Sequence, residues 1–119
     1  MKNLEQIRAF NAIEASKKYK PKGENGGAVV KKVPTMIQQN GLLGAIAFAL
    51  DDGNDGYRDV LQGAVDHYSQ LNQQVPKKLS EFVRWLVEQD SAMLRAITSE
   101  MLAYLNYYRR FAGTENKEE

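Results

Sequence analysis

A single histidine, His67, and no cysteine leave this 119-residue chain few groups able to do chemistry. Without cysteine there is no disulfide, no thiolate metal site and no thiol nucleophile. His67 follows Asp66, but neighbours in sequence point away from each other on a helix. A general base or a metal ligand needs convergent partners, and the sequence supplies none that can be named. On the helix described below, His67 falls roughly a quarter turn from the centre of the apolar stripe, which makes it a surface histidine. The turn Asp51-Asp52-Gly53-Asn54-Asp55-Gly56 has Asp at the first and fifth positions of a calcium loop and Gly at the sixth. Gly53 at the third position and Gln62 at the twelfth leave that ligand set incomplete. Gly23, Gly26 and Gly27 do not precede Lys-Ser/Thr at the spacing a phosphate-cradling loop requires. No catalytic residue, metal ligand or cofactor is expected.

The charged residues are more informative. Formal net charge is only +1, but residues 1–32 carry eight Lys/Arg against three Glu, a net +5, while the remainder is −4. Such asymmetry suggests a localised anion-binding surface, although Lys-rich loops are also often simply solvated. A second basic tract lies near the C-terminus, where Arg95, Ser99, Asn106, Arg109 and Arg110 occupy the arc opposite or beside an apolar stripe. Arginine forks and an asparagine amide could hold a phosphate backbone there; a solvated face is the plain alternative. Trp85 and the six tyrosines could stack on bases. Tyr57, Tyr68, Tyr104 and Tyr108 follow core spacing, however, while Tyr107 and Trp85 remain open.

Five helical segments must position these residues, and no convincing strand is found. The first runs from about Leu4 to Tyr19, its apolar residues recurring every third position so that the stripe drifts toward more than one neighbour. Residues 20–33 read as a basic, Gly-rich, mobile loop. The second helix is expected to begin near Pro34, which suits a first turn. It is apolar on all sides from Leu42 to Leu50, the mark of a central buried helix, with Gly41 and Gly44 allowing a neighbour's backbone to approach. The acidic turn caps a third helix, about Asp55 to Gln73, with Tyr57, Leu61, Ala64, Tyr68 and Leu71 on one face. A short fourth helix covers about Lys77 to Glu88. Asp90 or Ser91 caps the fifth, whose stripe of Leu94, Ile97, Met101, Tyr104, Leu105, Tyr108 and Ala112 is the most regular in the chain. Gly113 is the expected terminator, placing Arg109 and Arg110 in the last turn. The tail 114–119 is expected to fray. The fold class is all-α: residues 1–119 form one helical domain, a bundle of about five helices around a central buried helix.

Three stretches resemble a known family. One is Lys31-Lys32-Val33-Pro34-Thr35-Met36-Ile37-Gln38-Gln39-Asn40-Gly41-Leu42-Leu43-Gly44-Ala45-Ile46-Ala47-Phe48. The second is Leu102-Ala103-Tyr104-Leu105-Asn106-Tyr107-Tyr108-Arg109-Arg110-Phe111-Ala112, and the third, weaker, is Leu4-Glu5-Gln6-Ile7-Arg8. In this order they resemble the small helical subunit of the type III-B CRISPR (Cmr) RNA-guided effector complex. The resemblance implies a non-catalytic protein whose copies stack head to tail beside the subunits holding the guide RNA. The implied partners are those subunits, further copies of itself, the guide RNA and the target RNA. It carries a nucleic-acid role onto Arg8, Lys31, Lys32, Arg109 and Arg110; Lys17 and Lys18 join them from charge alone. The short Gly-rich segment at 20–30 and the short 72–78 connection depart from the family, so contacts made there by relatives do not transfer.

In antiviral defence such a subunit needs to hold only shape and phosphate, because base pairing supplies sequence specificity. A protein–protein adaptor without nucleic-acid contact is the alternative, and a small hydrolase built on His67 ranks last. The N-terminus has no apolar signal core. The longest apolar-rich run, Leu42 to Leu50, falls far short of the ~20 residues that span a bilayer. A cytoplasmic location without membrane contact is expected.

Overall fold

The computed structural model describes residues 2–19 and 26–115, and among these there are five helices and no strand. They are α1 (Leu4–Lys18), α2 (Gly26–Leu50), α3 (Asp55–Leu71), α4 (Leu79–Leu86) and α5 (Ser91–Glu115). Extents of 44 × 41 × 22 Å describe a slab, its thin dimension about two helix diameters. α1 packs chiefly on α5, α2 on α3 and α5, and the short α4 bridges α2 and α3.

α5 follows the expected stripe closely. Ile97, Met101, Tyr104, Leu105, Tyr108 and Ala112 are buried, and Leu94 is partly so. Asp90 caps it, its Oδ1 accepting the Met93 N–H at 2.8 Å. The helix runs past Gly113 to Glu115, so Gly113 does not terminate it. Arg109 and Arg110 therefore stand more than a turn before its end, away from the last-turn carbonyls.

α2 departs most from the sequence reading. It begins at Gly26, not near Pro34, so residues 26–33 are helical rather than loop; residues 20–25 lie outside the described part. Val30, Val33 and Ile37 are all buried, a spacing that keeps one helix face on the core. That burial offsets Pro34, which sits inside the helix and removes one backbone donor. Gly41 breaks the run with φ 81° and ψ 161°, a conformation that other residues rarely adopt. Val29, near the start of the first segment, lies against Gly56 just beyond the end of the second. The two segments thus fold back on each other. The second segment buries Leu42, Ala45, Ile46 and Ala49 but exposes Gly44, Ala47 and Phe48, so its apolar sequence is not buried on every side.

The glycines expected to admit a neighbour do not do so. A Cβ on Gly41 would meet nothing within 4 Å, and one on Gly44 would meet only Asn40 of its own helix. Gly63 on α3 has that role: a Cβ there would lie 3.0 Å from the Tyr104 hydroxyl and 3.5 Å from both Ala15 and Tyr19. The acidic turn also differs from expectation. Asn54 makes no side-chain cap for α3; its amide donates to the Phe48 carbonyl at 2.7 Å. Arg58 donates to the Ala49 and Asp51 carbonyls, satisfying acceptors at the end of α2 that have no partner within the helix.

Gly63→Ala is expected to destabilise the chain by about 1–3 kcal/mol, because the buried, stacked Tyr104 has little room to retreat. Gly44→Ala should be neutral or stabilising by up to about 1 kcal/mol. Urea denaturation of the two variants beside the parent checks both.

Candidate nucleic-acid interface

The basic residues named from the sequence fall into two groups: one is held in contacts within the fold, and the other is spread over exposed helix surface. Arg8 leads the first group. From the middle of α1 it donates Nε to Glu100 Oε2 at 2.7 Å and Nη2 to Glu100 Oε1 at 2.6 Å. The two side chains are only 24% and 14% exposed. Glu100 Oε2 also meets His67 Nε2 at 2.9 Å, and His67 Nδ1 faces the Asn11 amide nitrogen at 2.9 Å. The neutral Nε2–H tautomer satisfies both contacts, accepting from Asn11 and donating to Glu100. His67 is 1% exposed and stacks on Tyr104 with centroids 4.7 Å apart.

His67 is therefore not a surface histidine. Its position off the apolar stripe of α3 turns it toward α1, which covers α3 on a second side. The sequence did hold a signal: Glu100 sits beside the most regular apolar stripe in the chain, and a carboxylate there requires partners.

The electrostatics follow from this geometry. Burial lowers the His67 pKa, against the pull of Glu100. Burial pushes the Glu100 carboxyl up, but the hydrogen bonds from Arg8 and His67 outweigh it and leave the pKa below its ordinary value. The hydrogen bond to Glu100 raises Arg8 further. A second polar seam extends the first. The Tyr19 hydroxyl donates to Asp66 Oδ2 at 2.7 Å, Gln62 donates to Asp66 Oδ1 at 3.0 Å, and the Tyr108 hydroxyl donates to the Tyr19 carbonyl at 2.8 Å. A cleft of about 260 Å³ between α1 and α3 is lined by Lys18, Tyr19, Asp66, His67 and Gln70 among others.

Lys17 and Lys18 close α1 on the surface. Lys17 lies 3.7 Å from Glu14, and Lys18 lies 3.9 Å from Asp66 and over the Tyr19 ring. Lys31 and Lys32 are exposed on the first segment of α2, where with Thr35, Met36, Gln39 and Asn40 they border a depression of about 330 Å³. On α5, Arg95, Ser99, Asn106, Arg109 and Arg110 are all exposed. Among the described residues no group of His, Cys, Asp or Glu could hold a metal ion, and no helix is long and apolar enough to cross a membrane.

Fold and surface together define a small helical bundle whose lone histidine is locked into internal contacts and whose cations stand mostly outside. The model of the CRISPR-associated Cmr5 family matches residues 4–115. Among solved structures, the X-ray structure of a CRISPR-associated Cmr5 family protein from Thermus thermophilus is similar in fold. The TM-score is 0.76 at 24% identity, over 96% of this chain and 97% of that one. No curated protein matches the chain. The chain belongs to the Cmr5 family of CRISPR-associated proteins, which is a subunit family of the type III-B effector.

Two measurements test the internal network. Glu100→Ala leaves the Arg8 guanidinium and the His67 N–H without their acceptor, and should cost about 2–4 kcal/mol by denaturant unfolding. The pH dependence is also fixed in sign. The folded chain protonates His67 less readily than the unfolded chain does, so stability is full above the ordinary value of 6.5 and declines as pH falls below it. Glu100 adds a further loss below its ordinary 4.5. Thermal melts should therefore shift down as pH falls below about 6.5, and His67→Gln should flatten that first step while leaving the second.

Proposed function

We propose that this chain is a non-catalytic structural subunit of a type III-B CRISPR effector complex. Copies stack head to tail, and the exposed cations help hold the guide–target RNA duplex. The observation that carries this reading is the family match over residues 4–115, in a chain whose one histidine is used up in contacts within the fold. The physical logic agrees. Base pairing reads sequence, so a subunit along the duplex needs only regularly placed donors for phosphates.

Lys31, Lys32, Arg109 and Arg110 are exposed on helices, which supports a role for them. Lys17 and Lys18 are exposed at the end of α1, each near a carboxylate on the surface. Arg8 can contribute only the part of its guanidinium that Glu100 does not occupy.

Charge reversal in a reconstituted complex tests the proposal. Lys31→Glu with Lys32→Glu, and Arg109→Glu with Arg110→Glu, should each weaken target-RNA binding by tenfold or more. Each pair should also reduce the steepness of its salt dependence, since each phosphate contact contributes to that slope. Both variants assembling normally and binding target like the parent would overturn the RNA role. Crosslinks to partner proteins alone, with none to RNA, would favour an adaptor that touches no nucleic acid.

A further inference from the structure

Two depressions meet on the face that α1 and α3 share. The first is the cleft of about 260 Å³ bordered by Lys18, Tyr19, Asp66, His67 and Gln70 among others. The second, of about 550 Å³, is bordered by Asp66, Ser69, Gln70, Gln73 and Lys77. Asp66 and Gln70 border both, so the two make one groove that runs from Lys18 to Lys77. The far wall is held in place. Gln62 donates to the Lys77 carbonyl at 2.7 Å and accepts the Leu79 N–H at 3.0 Å, which ties the start of α4 to α3.

The groups along it suit hydroxyls. Asp66 already accepts from Tyr19 and Gln62, but each carboxylate oxygen keeps a further lone pair. Ser69 is 5% exposed, and its hydroxyl donates to the Asp66 carbonyl at 3.1 Å. The serine oxygen is left as an acceptor. Gln70 and Gln73 are exposed, and each amide offers one acceptor and two donors. Among the described residues, no hydrogen bond or ion pair occupies these two amides or the Lys77 ammonium. The middle of the groove thus presents acceptors and donors together. Each end presents a cation, Lys77 exposed at one and Lys18, 68% exposed, at the other.

We infer that this groove holds the ribose edge of bound RNA: 2′-hydroxyls meet Asp66, Ser69, Gln70 and Gln73, while Lys18 and Lys77 meet the phosphates on either side. This rests on the RNA-binding reading above and adds a site that tells RNA from DNA. A 2′-hydroxyl donates and accepts at once, and A-form duplexes are recognised mostly by shape and by 2′-hydroxyl and phosphate contacts. A phosphate does not fit the middle of the groove, because the Asp66 carboxylate would repel it. A protein partner fits less well than RNA. The core of a protein interface is apolar with aromatic anchors, whereas the residues bordering the second depression are polar.

The probes are an RNA duplex and the same duplex carrying 2′-fluoro groups, which keep the A-form shape but cannot donate a hydrogen bond. The full chain, alone or in the reconstituted complex, should bind the RNA duplex about fivefold more tightly than the fluoro duplex, the scale of one hydrogen bond. Gln70→Ala with Gln73→Ala, both at exposed positions, should bring that ratio close to one and leave the salt slope unchanged. Lys77→Gln should weaken binding to both probes alike and flatten the salt slope. If the double variant loses helical circular dichroism, Gln73→Ala alone, which lies between α3 and α4, carries the same comparison. A parent with no preference, or a double variant that keeps it, would overturn the groove while leaving the other basic contacts intact. An equal loss on both probes in the double variant would also overturn it. So would a loss of assembly with partner proteins at unchanged RNA affinity, which would assign the amides to a protein contact. A parent chain that binds neither probe, alone or in the complex, would fail both readings.

Discussion

Glu100 is the point at which α1, α3 and α5 are fixed to one another. Its two oxygens receive a forked arginine from α1 and a histidine N–H from α3, and the histidine is held in turn by Asn11 of α1. Hydrogen bonds are directional, whereas apolar burial is not. The distinction matters for α1, whose fully buried residues are only Ala12, Ala15 and Ser16. A buried methyl contributes about 0.8 kcal/mol, too little to select one pose among many. The arginine–glutamate–histidine contact selects it, and the capping box of Asn3 and Gln6 fixes where the helix starts.

From that hub an aromatic ladder carries order into the centre of the slab. His67 stacks on Tyr104, Tyr104 lies near-parallel to Tyr108, and the Tyr108 hydroxyl reaches the last backbone carbonyl of the described α1 region. Gly63 sits where α1, α3 and α5 converge, and a Cβ there would press on the Tyr104 hydroxyl at 3.0 Å. The face of α5 that carries Arg109 and Arg110 is the outer side of the helix that this ladder holds. The spacing of those cations is therefore set by the core and not by a mobile loop, which suits a ligand with a regular backbone.

The sequence made the fold class and α5 legible, since a stripe of large apolar residues at helical spacing has few other interpretations. It misled where composition and position disagreed. Gly26, Gly27 and Pro34 are breaker residues, yet Val30, Val33 and Ile37 between and beyond them bury a continuous face and hold the helix together. Leu4 and Phe10 marked an apolar stripe on α1, but both are exposed, and the face that docks is one of alanine, serine and polar residues. The environment of His67 cannot be read from its own helix, because its partners lie 56 and 33 residues away. Polar contacts between distant segments leave almost no periodic trace. The nearest clue was a carboxylate beside a stripe where a charge is costly.

The same network bears on the proposed structural role. Its one imidazole is buried, stacked and hydrogen-bonded at both nitrogens within the fold. Under the proposed function, the acting groups are charges placed on helices. Lys31, Lys32, Arg109 and Arg110, if all met phosphates of a single strand, would give a salt slope of only about −3. One copy would therefore bind weakly at physiological ionic strength. Weak contacts become useful when copies are held in register by other partners, because each further contact is then made at high effective concentration. A near-neutral chain with localised cations fits that regime better than a strongly basic one, which would bind nucleic acid on its own wherever it met it. Under the proposed function, the modest charge and the stiff α1–α5 junction serve one requirement: affinity that belongs to the assembly and hardly at all to the single subunit.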